Sequence, residues 1–154
     1  MDVLDELYLR PGYLIRRAHQ MAVSTFMEYS DGMTPTQYGV LTLIGGVARI
    51  DQIGIARRLG LDRSTAGLVV GKLVDAGLVA RQTDAGDQRR YRLRITRSGR
   101  ERLAQLAAPV AAERARLLSP FSADEAAQFL ALLQRFVDAH NAASRVPHLT
   151  DVGA

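Results

Sequence analysis

The stretch "GLDRSTAGLVVGKLVDAGLVARQTDAGDQRRYRLRIT", Gly60–Thr96, carries the architecture of this chain. Gly60 can supply the left-handed residue of a tight turn, and Asp62 can cap a helix that runs through Ala76 and stops at Gly77. Leu61, Ala66, Val70, Leu73 and Val74 are its expected core positions. That leaves Arg63, Ser64, Thr65, Gly67, Leu68, Gly71 and Lys72 outward. "LVARQT" then reads as a strand, "DAGDQR" as a hairpin loop, and "RYRLRIT" as the returning strand. In that second strand Tyr91, Leu93 and Ile95 alternate with Arg92 and Arg94, which predicts one packed face and one cationic face. With Arg89 and Arg90, four arginines crowd the end of the hairpin. Like charges at this density repel one another unless something anionic faces them.

Upstream, the pattern is helical. The first helix is expected from Pro11, whose fixed φ suits a first helical position. Leu14, Ala18, Met21, Ala22, Thr25 and Tyr29 recur at helical spacing along one apolar face, and "SDG" (30–32) ends it. "TPTQ" (34–37) is a capping box, with Thr34 as N-cap, Pro35 at the first position and Gln37 reaching back. Tyr38, Leu41, Leu43 and Ile44 form the buried side of the second helix, before Gly45 and Gly46. A short third helix follows Asp51 through "QIGIARRL". Downstream, Thr96 can cap a long amphipathic helix carrying Leu103, Leu106, Ala107, Val110, Leu117 and Leu118, with Pro109 inside it as a source of a kink. "SADE" (122–125) is a second capping box. It opens a last helix with Phe129, Leu130, Leu133, Phe136 and Val137 on one side, and the tail from Val146 is expected to fray.

Charge is distributed unevenly. Between Arg57 and Arg102 there are twelve basic and five acidic residues, whereas the rest of the chain holds eight basic and eleven acidic. A basic block between acidic ends is the footprint of a surface that meets a polyanion, against the alternative of a solvated arginine-rich face. The 154 residues suit one domain, or one domain with an added dimerisation element. There is no cysteine, which excludes a disulfide framework, a thiolate zinc site and a cysteine redox switch. No apolar run reaches the ~18 residues of a membrane span, and the acidic start "MDVLDELYLR" is unlike a signal peptide. A cytoplasmic location is expected.

Helix, helix, short helix, tight turn, helix and basic hairpin make a winged helix-turn-helix, in a mainly α (α+β) fold. A helix with small and polar residues at its exposed end can enter the major groove of double-stranded DNA. A cationic hairpin beside it can reach phosphates and the adjacent minor groove.

With that order in place, the chain resembles the MarR (multiple-antibiotic-resistance regulator) family of bacterial transcription factors. The wing carries the strongest local likeness: Asp84, Asp87 and Arg89 followed by "RIT" (94–96). "GLDRST…LVVGKLVDAGLV" resembles the family's recognition helix and its exit. The resemblance implies a single domain of this type over 1–154, with the winged unit at 35–96 and dimerisation helices at 1–34 and 97–146. It implies a homodimer on a pseudo-palindromic operator, mostly a repressor, released by a small and often aromatic acid, without a cofactor or metal. DNA contacts are implied for Arg63, Ser64, Thr65, Gly67, Leu68 and Lys72 of the helix, and for Asp87, Arg89 and Arg90 of the wing, where Asp87 orients Arg89 into the minor groove. Three departures stand out: Gln88 where many members carry arginine, Gly67 and Leu68 where bulkier polar residues are frequent, and no cysteine for peroxide sensing.

For the effector, the resemblance implies Arg16, His19, Thr36 and Tyr38, around a cleft between the first two helices and the winged unit. Each has a plainer reading. His19 suits a hydrogen-bonded interface, Tyr38 a core aromatic, and Arg16 an acidic partner or solvent. "RPGYLIRRAHQ" (10–20) resembles the branch controlling aromatic-acid catabolism.

Other functions are weaker on the residues. His19, His140 and His148 are dispersed, and no phosphate loop, paired carboxylates or serine with a base appears, which argues against an enzyme. A metal-responsive regulator would have to assemble His140 and His148 with Asp138 and Asp151, a spacing that matches no ligand motif. A winged-helix module for protein interaction would not need arginines gathered on one wing and one helix.

Overall fold

The computed structural model describes residues 3–84 and 87–149, with the backbone alone for 84 and 87–90. Its elements in order are α1 (Val3–Tyr8), α2 (Pro11–Tyr29), α3 (Pro35–Gly46), α4 (Gln52–Leu59), α5 (Arg63–Asp75), β1 (Val79–Asp84), β2 (Asp87–Ile95), α6 (Arg97–Leu118), α7 (Ala123–His140) and a short 3-10 turn (Asn141–Ala143). The fold is a winged helix-turn-helix carried between long helices. Helix α1 is an addition to the sequence reading, which began at Pro11.

Helix starts follow local chemistry. Thr34 accepts from Gln37 N while the Gln37 side chain accepts from Thr34 N, closing the box around Pro35. Asp51 accepts from Gly54 N at 2.7 Å, Asp62 from Thr65 N at 2.8 Å, and Thr96 from Gly99 N at 3.0 Å. Ser122 and Glu125 form the second box. Each cap satisfies amide groups that a first helical turn leaves without partners. Chain reversals need left-handed backbone, which Gly32 (φ 79°) and Gly60 (φ 60°) adopt without a Cβ clash.

The core lies inside the winged unit. Val40, Leu41 and Ile44 of α3, Ile55 of α4, Val70 and Leu73 of α5, and Val79, Leu93 and Ile95 of the hairpin bury against Leu106 of α6. Strands β1 and β2 pair antiparallel with Val79 opposite Ile95 and Thr83 opposite Tyr91. Ile50 adds a third rung, accepting from Leu93 N at 2.9 Å. One expectation fails here. Tyr91 is 56% exposed, whereas Leu93 and Ile95 are buried. The alternation is correct, but the helical body underlies only the base of β2, and Tyr91 stands beyond its edge. Pro109 sits inside α6, which continues to Leu118.

The tail also departs from expectation. Residues 146–149 dock on the winged unit instead of fraying. Leu149 N donates to Arg57 O at 2.8 Å, and the Asn141 side chain clamps the His148 backbone through both its amide and its carbonyl. The tail, α4 and the start of α5 line an open hollow of about 350 Å³. The sequence offered no capping or periodic signal here, because the tail is held through its backbone groups, by the Asn141 side chain and the Arg57 carbonyl, and not through side chains of readable spacing.

Helices α2 and α7 keep apolar faces open. Leu14, Ile15, Met21 and Met27 on α2, and Phe129, Leu130, Leu132, Leu133, Phe136 and Val137 on α7, are all exposed.

Candidate nucleic-acid interface and effector cleft

Helix α5 presents its N-terminal half outward because α3 and α4 hold its other side. Ser64, Leu68 and Lys72 line up at i, i+4 spacing and are exposed, with Arg63 beside them. Leu68 is 69% exposed, an apolar side chain with no place in the core. Thr65 has a prior commitment: its hydroxyl donates to Asp62 at 2.6 Å while its amide bonds the same carboxylate. That hydrogen bond, chiefly, holds the Asp62 carboxyl below its ordinary value. Gly67 turns out to be a packing position. A Cβ there would lie 2.8 Å from Gln52 Nε2, and Gln52 in turn donates to Arg63 O at 3.3 Å. Gln52 was missed in the sequence; it braces the end of the helix that would enter a groove, and no spacing rule flags it.

The hairpin is seated by α6. The Thr96 hydroxyl lies 2.7 Å from Gly77 O and 3.1 Å from Leu78 O, and Arg100 donates to Ile95 O at 3.3 Å. Arg81 and Arg94 are exposed along its length. Asp87, Arg89 and Arg90 fall within β2, at the distal half of the wing, but their side chains lie outside the described residues. The reading helix and the wing thus project from one core, joined through α4 and Ile50.

Of the residues expected to line an effector cleft, Arg16 is exposed and has no ion pair among the described residues. Its guanidinium stands over the Tyr13 ring at 5.4 Å, and Tyr13 meets Tyr8 edge-on at 5.5 Å. Such stacking is a favourable cation–π placement. Tyr13, one turn before Arg16, was not singled out in the sequence, although its spacing was available. His19 lines an open hollow of about 330 Å³ with Gln20, Val23, Ser24 and Met27. Tyr38 is half-buried, with its ring 5.4 Å from that of Phe26, and Thr36 is half-buried in the first turn of α3. Phe26 lies ten residues beyond Arg16 on α2, about 15 Å at 1.5 Å per residue. The structure therefore brings Arg16 near His19 and Thr36 near Tyr38, as two groups at different levels of the helix.

Of the histidines considered for a metal, only His140 has its ring engaged. His140 Nδ1 lies 2.8 Å from Phe136 O and the ring leans on Phe136, while His148 is held by its backbone. Asp151 lies outside the described residues. Among those described, no three His, Asp or Glu residues gather, and no helix is long and apolar enough to cross a membrane.

Comparison with known proteins agrees with this arrangement. The model of the MarR family matches residues 31–90. A putative transcriptional regulatory protein for the hcr operon of Thauera aromatica is 31% identical over 127 residues, covering 80% of this chain and 76% of the relative. Among solved structures, the PcaV transcriptional regulator of Streptomyces coelicolor, in complex with its natural ligand, is 36% identical with a TM-score of 0.80, over 86% of this chain and 95% of that one. The transcriptional repressor CouR bound to a 23-mer DNA duplex is 27% identical with a TM-score of 0.82, over 89% and 99%. CouR from Rhodococcus jostii RHA1 has also been solved with p-coumaroyl-CoA, at 28% identity and a TM-score of 0.71 over 84% and 93%.

Proposed function

The chain belongs to the MarR family of DNA-binding transcriptional regulators, and from that premise we propose a ligand-responsive homodimeric repressor that binds a pseudo-palindromic operator and is released by a small aromatic or phenolic acid. The observation that carries the DNA half is the exposed row Ser64, Leu68 and Lys72, with Arg63, standing beside an arginine-rich wing on one core. In this reading Arg63, Ser64, Leu68 and Lys72 meet the major groove, and Asp87 orients Arg89, with Arg90 assisting, toward the minor groove. Thr65 serves as the cap that points the helix, and Gly67 as the close approach that lets Gln52 brace it.

Dimerisation is supported by the open apolar faces of α2 and α7. Six large hydrophobic residues of one helix, each between 38% and 46% exposed, form a surface that a second copy would cover. Helices at 1–34 and 97–146 would then form the shared stem and the winged unit at 35–96 the reading heads.

The effector half rests on Arg16, a cation with no ion pair among the described residues and an aromatic ring beneath it. A carboxylate on Arg16 would lie with His19 within reach of a ring substituent. Thr36 and Tyr38 would line the far end of the cleft, which a longer aromatic acid would reach and a single ring would not. The relative solved with p-coumaroyl-CoA, the thioester of a phenolic acid, supports an aromatic effector, and the one solved with its natural ligand supports a ligand-responsive regulator. Such a molecule releases DNA only if it binds the DNA-incompetent wing spacing more tightly than the competent one. A coupling of about 1–3 kcal/mol, 5–150-fold in operator affinity, is expected.

Calorimetry on the parent and on Arg16→Ala, with single-ring and cinnamic-type acids, tests the assignment. Micromolar binding to the parent that weakens at least tenfold in the variant supports it. No binding below millimolar, or an unchanged affinity in Arg16→Ala, removes Arg16 from the site and leaves the DNA reading intact.

A further inference from the structure

Arg49 breaks two local rules at once. Its φ is +60°, a left-handed conformation that side chains with a Cβ adopt at a cost, and Asp31 is the only other non-glycine described residue that does so. Asp31 sits in a turn beside Gly32, with its carboxylate 3.5 Å from Arg102. Arg49 is exposed and has no hydrogen bond or ion pair among the described residues. The antiparallel bridge between Ile50 and Leu93 sets its backbone next in register to that of Arg94, also exposed and also without such a partner among the described residues. Adjacent like charges on neighbouring strands are unfavourable in water alone. Asp51, two residues on, has one carboxylate oxygen taken by Gly54 N at 2.7 Å and makes no ion pair with Arg49.

The position of the segment explains what a cation would do there. Residues 49–52 touch both elements of the DNA-reading surface. Ile50 accepts from Leu93 N of the wing at 2.9 Å, and Gln52 donates to Arg63 O at the first residue of α5 while filling the space over Gly67. A duplex that takes α5 into its major groove and the wing into the next minor groove must run its sugar–phosphate backbone across the interval between them. Glycine at position 49 would relieve the backbone but leave Arg94 alone to charge that interval.

We propose that Arg49 is a phosphate-contacting residue of this protein, seated between the reading helix and the wing, where it and Arg94 clamp the strand that separates the two grooves. The inference rests on the DNA-binding reading and adds a residue outside both the recognition helix and the hairpin. A phosphate oxygen between two guanidinium groups would turn their repulsion into a charge-assisted contact.

Arg49→Gly separates this role from a structural one, because strain relief and phosphate loss act in opposite directions. The measurement is fluorescence anisotropy with a random-sequence duplex, titrated from ~50 to ~200 mM salt, since phosphate contacts carry no sequence information. The expected result is a melting temperature equal to or above the parent's, with affinity reduced roughly five- to tenfold near 0.1 M salt. The log–log salt slope should become shallower by about 1.8, the share of two phosphates, one for each protomer of the dimer. Arg49→Lys should keep the parent's slope. An Arg49→Gly variant with the parent's affinity and slope would overturn the proposal, as would an Arg49→Lys variant as impaired as the glycine. A parent whose affinity ignores salt would sink the DNA reading itself, a result distinguishable from either.

Discussion

Arg102 reaches back 72 positions to donate a hydrogen bond from Nη2 to the carbonyl oxygen of Ser30, at 2.9 Å. The same guanidinium lies 3.4 Å from Asp31 O and 3.5 Å from the Asp31 carboxylate. Ser30 is fully buried, and its hydroxyl bonds Met33 O at 2.6 Å, so this one side chain ties α6 to the corner where α2 turns into α3. That corner joins the long helices to the winged unit. Arg102→Ala should therefore destabilise the fold by about 1.5–3 kcal/mol, the range for hydrogen bonds to a charged donor. Arg102→Lys should fall between, because a lysine lacks the planar fork that meets several acceptors. Urea denaturation at fixed protein concentration measures both, and equal stability of Arg102→Ala and the parent would show that the corner holds without it.

Two glycines should respond with opposite signs. At Gly99 a Cβ would collide with Leu78 O and fall 2.7 Å from Ile95 Cγ1, with backbone on one side and a buried strand residue on the other. Gly99→Ala should cost at least the ~1–3 kcal/mol of an overpacked core. At Gly71 nothing lies within 4 Å, so Gly71→Ala should stabilise α5 by roughly 0.5–1 kcal/mol. Thermal melts of the two variants beside the parent settle the ordering.

Acid should affect two carboxyl groups in opposite ways. Asp62 is held below its ordinary value by the Thr65 hydroxyl, so its contribution is present above the ordinary aspartate range and is lost as pH falls through the lowered value. Burial pushes the Glu113 carboxyl up, and Glu113 has no hydrogen bond or ion pair among the described residues. Its folded form holds the proton more tightly than the unfolded chain, so stability falls as pH rises through the raised value. Glu113→Gln should accordingly raise the melting temperature at neutral pH and leave it unchanged below the ordinary glutamate range. Asp62→Asn should lower it at neutral pH, with the difference shrinking on acidification.

The wing makes the fourth test. Arg89→Ala should weaken binding to a duplex selected from a random pool by about 1–3 kcal/mol with the protein still folded, and Asp87→Ala should be milder because it only frees the arginine to move. The selected duplex should carry half-sites about one helical turn, roughly 10 bp, apart. Titration at fixed salt and footprinting give both answers, and an isolated asymmetric half-site would argue against a two-fold dimer.

The features legible from residues alone share a range of a few positions. Thr34, Asp51, Asp62, Thr96 and Ser122 each accept an amide three residues on, and each was readable because donor and acceptor are fixed by the same turn of chain. The hairpin and its alternation were readable for the same reason, and with them the winged architecture and the place of the reading helix. Tyr91 obeys the same alternation and still stands in solvent, since burial depends on how far the helical body extends beneath β2. Gly67 looked like open surface until α4 placed Gln52 against it. Nothing in the spacing of residues 141–149 announces that Asn141 clamps His148 and that Leu149 meets Arg57 across the chain. Local hydrogen bonding is encoded within a turn of the chain, whereas burial, bracing and docking are properties of surfaces that meet only after the helices have packed.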